Sequence, residues 1–150
     1  MPRTALLLAL CIAAAGTTAL SAVQPNTPTP MPQVKAKMKS IVDKTSTDLF
    51  NAAGEADPAN GADAKKPDAA GWAKAKAQAD QLKAVADWML VPKNGKTGEP
   101  KWVKAAKDMS TLSAAASKAA VAHDAAGLAK AANDLSDTCT ACHSVYKKQS

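Results

Sequence analysis

Apolar side chains recur every three or four residues over four stretches of this chain, and joints rich in polar residues, Pro and Gly separate them. The first stretch, about Pro32 to Ala53, carries Val34, Met38, Ile41, Thr45, Leu49 and Ala52 at that spacing. The second, about Gly71 to Leu90, sets Trp72, Ala75, Ala79, Leu82, Ala86 and Met89 on one stripe. In the third, about Pro100 to Ala122, the stripe is Trp102, Ala105, Met109, Leu112, Ala116 and Ala119. The fourth starts near Asp124, a residue type suited to capping, and runs through Leu128, Ala131, Leu135, Cys139, Cys142 and Tyr146. A step of about 3.5 residues marks amphipathic helices laid along the seam of a bundle. Gly54 to Gly71 and Val91 to Pro100 read as loops. The pattern predicts an all-α fold, an antiparallel four-helix bundle.

Upstream the pattern changes. Met1-Pro2-Arg3 is a short positive start, Thr4 to Ala15 is apolar, and Gly16 to Ala22 is mostly small residues. That is the layout of a secretory signal peptide cleaved between Ala19 and Ala22. The alternative is an uncleaved anchor, since Thr4 to Val23 carries no charge. Gly16 and the Thr and Ser residues after it weaken the second half of such a span and favour cleavage. Cys11 lies inside this run behind Leu10, a large residue where a lipoprotein site needs a small one, and leaves with the peptide. Val23 to Gln33 holds four prolines and reads as an extended leader. The expected organisation is a signal peptide over 1–22, a Pro-rich leader over 23–33 and one helical domain over 34–150.

Composition narrows the class. A chain of 150 residues has room for one domain, and 47% apolar residues exclude a fully disordered one. The scarcity of β-branched and aromatic residues argues against a β-sandwich or barrel. The net charge of +6 rests on 18 Lys and one Arg, and becomes +5 once Arg3 is removed with the leader peptide. Those lysines are spread along all four helices, and with no Arg in the mature chain and an export signal, nucleic acid is excluded as a partner. Alanine fills 36 positions. It makes good helices but a thin core, since each buried methyl contributes about 0.8 kcal/mol.

The strongest chemical signal is Cys139-Thr140-Ala141-Cys142-His143. On a helix, positions i, i+3 and i+4 share a face, so two thiols and an imidazole point the same way. This arrangement suits covalent attachment of haem c: each thiol adds to a vinyl group, and the imidazole becomes an axial iron ligand. A structural zinc site wants four ligands, and only His123 is left to join. A redox dithiol belongs at the start of a helix after a strand, and no such unit exists here. A disulfide between residues three apart on one helix strains its geometry. No Ser–His–Asp set or paired-carboxylate site is discernible, and the chain is expected to be no enzyme, with peroxidase activity at a labile iron as a side reaction.

The haem motif lies on the last of four predicted helices, close to Ser150. Here the chain resembles the class II cytochromes c, the cytochrome c′ family, over roughly Gln33 to Lys148. The match is carried by CTACHSVYK, Cys139 to Lys147, with Tyr146 at the family's aromatic position and Lys147 where an Arg is usual. Met38-Lys39 and Trp102 after Pro100 are weaker matches. The resemblance implies a periplasmic bacterial protein with one haem c. It also implies that helix one decides the activity. Met38 at that position, with His143, makes a low-spin electron carrier, and a thioether favours reduced iron. A vacant distal site instead gives a high-spin protein that binds small gases such as NO or CO. Met31, Met89, Met109 and His123 read as non-ligands, with Met89 and Met109 in the core near the haem edge or the bundle ends. Lys35 is the expected propionate contact. Redox partner proteins with acidic docking surfaces suit the positive charge, and homodimers are common in the high-spin branch. The haem then supplies the apolar area that alanine does not.

Overall fold

The structure, a computed structural model, describes residues 31–147. The expected signal peptide, leader residues 23–30 and the last three residues lie outside the described residues. Within them all regular structure is helical: α1 (Met31–Lys37), a π-helical turn (Met38–Val42), α2 (Asp43–Ala56), a 3₁₀ segment (Pro58–Asp63), α3 (Ala69–Leu90), α4 (Pro100–Val121) and α5 (Ala125–Tyr146). No helix among the described residues is long and apolar enough to cross a membrane.

Local chemistry sets most of these limits. The Asp68 side chain accepts the Gly71 N–H at 2.7 Å and Asp124 accepts the Gly127 N–H at 2.9 Å, so each caps the helix that follows. A Cβ at Gly127 would collide with the Asp124 carboxylate, so this cap needs its glycine. Pro100 opens α4 at a position where its missing N–H costs nothing. At the other end of α4 the His123 N–H donates to Ala120 O and the Asp124 N–H to Ala119 O, a Schellman closure. His123 occupies its left-handed position at φ 53°.

The helices pack in a cycle: α3 on α4, α4 on α5, and α2 against both α3 and α5. Their directions alternate. Trp102, in the first turn of α4, meets Met89 near the end of α3 and Tyr146 at the end of α5. Trp72, at the start of α3, meets His123 just past the end of α4. Leu49, Leu82, Leu128 and Leu135 are fully buried with Ala75, Ala79, Ala86 and Ala116 between them, and these methyl-sized contacts let the helix axes approach closely.

Several details depart from the predicted pattern. The first helix starts at Met31, inside the expected leader, and is interrupted by the π turn. The buried positions there are Val42 and Ala53 rather than Ile41 and Ala52, which are half-buried. On α4, Ala106 and Ser113 are buried while Ala105 and Leu112 are half-buried. Trp102, Met109 and Ala116 keep their seven-residue spacing in the core, so on α4 the buried face is centred toward Ala106 and Ser113 with its period unchanged. The expected loop from Gly54 to Gly71 contains the last turn of α2, the 3₁₀ segment and the first turn of α3.

Candidate functional site

The last two turns of α5 carry Cys139, Cys142 and His143 on one side, and a network at the same end of the molecule holds them in place. Tyr146 is 5% exposed. Its hydroxyl donates to Glu99 Oε2 at 2.9 Å, and its ring meets the Trp102 ring edge-on at 5.2 Å. Trp102 Nε1–H donates to Met89 O at 3.1 Å, tying α4 to the end of α3. Lys96 completes the group, with its ammonium 3.0 Å from Glu99 Oε1 and 5.3 Å from the centre of the Tyr146 ring. Gly95 lies against Trp102 so closely that a Cβ there would fall 2.6 Å from the indole.

On the facing side, the π turn begins at Met38. Its approach is fixed by the Lys37 ammonium, which sits 4.8 Å from the centre of the Trp88 ring on α3. Between the π turn, α3, α4 and α5 opens a narrow cleft with a mostly apolar lining. Met38, Cys139, Cys142 and His143 all line it. So do Met89 and Met109, with Val42, Ala105, Ala106 and Trp102 as apolar wall. Thr138 is the single hydroxyl in the lining, and it is already engaged, donating to Asp134 O at 3.1 Å.

The electrostatics follow from this apolar wall. Cys139 and Cys142 are half-buried free thiols. Burial pushes both thiols up from their ordinary values, and the neighbouring Cys139 raises Cys142 further, so both are protonated at neutral pH. His143 is exposed as a residue, but partial desolvation of its ring and the nearby Lys147 ammonium lower its pKa. The imidazole is therefore neutral at pH 7, with a nitrogen lone pair free for a metal.

Four of the five residues singled out in the sequence thus come together, and Lys35 does not: it is exposed on α1 and does not line the cleft. His123 is a surface residue stacked on Trp72 at 5.2 Å, at the far end from the thiols. Sequence reasoning missed Val42 and Thr138 in the lining, and the Glu99–Tyr146 bond. Val42 is brought in by the π turn, and nothing local in MKSIV announces one. Glu99 and Tyr146 are 47 residues apart and carry no local signal of their pairing. No family model, curated protein or solved structure matches this chain.

Proposed function

We propose that the chain is a monohaem c-type cytochrome of periplasmic electron transfer. In this reading it is an antiparallel four-helix bundle that holds haem c through Cys139 and Cys142, with His143 and Met38 as iron ligands. One observation carries the reading: the two thiols, the imidazole and the thioether named from spacing and resemblance line one apolar cleft. When bound, haem supplies an iron that gains and loses one electron.

The chain's own residues suit that occupant. Protonated thiols at Cys139 and Cys142 remain available for attachment, and neutral His143 offers a nitrogen donor. Met38 offers a soft sulfur that favours the reduced metal. Val42, Ala105, Ala106 and Trp102 would give a bound haem an apolar wall, against which a charge change at the iron is screened less than in water. The export signal in Met1–Ala22 supports a periplasmic setting.

Charge placement supports an acidic redox partner. The half of the molecule around the cleft (31–43, 80–110 and 136–147) carries ten Lys against six acids, while the other half carries seven of each. A partner with an acidic face is therefore drawn to the cleft end, most strongly at low salt.

Spectra of the purified exported protein test this. The expected result is one covalently held haem per chain and a low-spin oxidised spectrum with a methionine–iron band that Met38→Ala abolishes. A high-spin spectrum that shifts with CO or NO would give the site to gas binding. A colourless protein would end the haem reading.

A further inference from the structure

The cleft gathers nearly all the soft donors of the described chain. Three of the four methionines in residues 31–147 line it, as do both cysteines and one of the two histidines. No three His, Cys, Asp or Glu side chains converge as a metal site among the described residues. A zinc ion, which takes four such ligands in a structural site, is therefore left short. The cleft has no carboxylate in its lining, and its one hydroxyl is engaged elsewhere, so hard cations lack oxygen donors. Cu(I) has the opposite requirement, since it selects thiolate and thioether sulfur.

We propose that the haem-free chain binds one Cu(I) ion in this cleft, held by Cys139 and Cys142 and completed to three or four ligands by thioether sulfur drawn from Met38, Met89 and Met109. The copper arrives and stays as Cu(I), and each thiol that coordinates it releases its proton to solvent. Covalent haem attachment consumes both thiols, so the two occupants exclude one another. The copper site rests on the cleft and its sulfurs alone, and stands or falls independently of the haem reading.

The test titrates the reduced, haem-free exported chain, without residues 1–22 and so without Cys11, with Cu(I) under anaerobic conditions, against a chromogenic Cu(I) chelator. One ion per chain is expected. Binding is lost in the Cys139→Ser, Cys142→Ser double variant and weakened about tenfold when Met38, Met89 and Met109 are all changed to Leu. Met31→Leu, outside the cleft, leaves it unchanged. Leu replaces Met with little change of volume, and far-UV circular dichroism checks that each variant keeps its helices. If the triple variant does not fold, the single Met38→Leu, Met89→Leu and Met109→Leu variants give the same reading. Undiminished affinity in the methionine variants would assign the metal to a bare dithiol and overturn the cleft site, and so would the absence of binding in the parent chain. A colourless exported protein that nonetheless takes up Cu(I) in this assay would remove the haem reading and leave the copper site standing.

Discussion

The two ends of the helical cycle share one periodicity but are filled differently. Where α3 and α5 begin, Ala75, Ala79, Ala116 and Leu128 are fully buried, and His123 closes the end by lying flat on Trp72 with ring planes 9° apart. Where α3 and α5 finish, the core positions belong to Met89, Met109 and Trp102, and the half-buried Met38, Cys139 and Cys142 line the cleft with them. Alanine methyls fill one end with short side chains, and sulfur side chains with an indole pinned to a backbone carbonyl line the other. An alanine-rich sequence can therefore build a helical scaffold and a sulfur-lined cleft in the same four helices, according to where it places its few large residues.

Substitutions in the haem-free chain should separate the two ends, beginning with the core. Leu128→Ala, at the closed end, should cost about 2–5 kcal/mol in chemical denaturation, because the fully buried site cannot collapse around the hole. Met109→Leu, beside the cleft, should cost less than about 1.5 kcal/mol, since the volume is kept and the neighbouring space is already open. Equal losses at the two sites would mean that the ends are packed alike.

A smaller effect concerns the pin at the open end. Tyr146→Phe removes one hydrogen bond to Glu99 and should cost about 1 kcal/mol, with the loss confined to protection of the last turns of α5 in hydrogen exchange. The same pin has a pH signature. Desolvation first, then the bond to Glu99, pushes the Tyr146 hydroxyl from its ordinary value of 10 up to about 12. A group raised on folding contributes stability that is fully present below the unfolded value and fades as pH rises through the folded one. Since the chain has a single tyrosine, tyrosinate absorbance should rise near pH 12 in the folded protein and near pH 10 in denaturant. A folded-state midpoint near 10 would dissolve the pin.

The smallest difference is expected at the closed end's turn. His123→Gly relieves the left-handed backbone but loses the Trp72 stack, and His123→Ala loses the stack and keeps the strain. Thermal melts should therefore place Ala below Gly, by about 1 kcal/mol or less.

The helices were legible in the sequence because burial repeats at a helical period, and α3, α4 and α5 fall within a few residues of where their stripes lie. Their starts were read less well at Ala69, since Gly71 looked like a loop residue and only the Asp68 carboxylate on its N–H makes it part of a helix. In the site, Cys139, Cys142 and His143 were legible from spacing alone, because one helix places them without help from the rest of the fold. Met38 came from its stripe and the resemblance. Lys35 lies outside the cleft lining, and as an exposed charge it is free of packing, so its position along the helix says nothing about what it touches.

Met38 reaches the cleft through a turn that holds one residue more than an α-helix would. Its placement is thus a matter of counting. Deleting a single residue such as Ser40 would let the turn relax to α geometry and keep everything upstream in phase with α2, whereas one more residue added in α geometry would rotate it by about 100° around the axis, with a shift of about 1.5 Å. After such an insertion the sulfur would leave the cleft although no side chain lining it had changed. Chain length at this one turn governs ligand supply, and an insertion there would alter the site more thoroughly than most substitutions inside it.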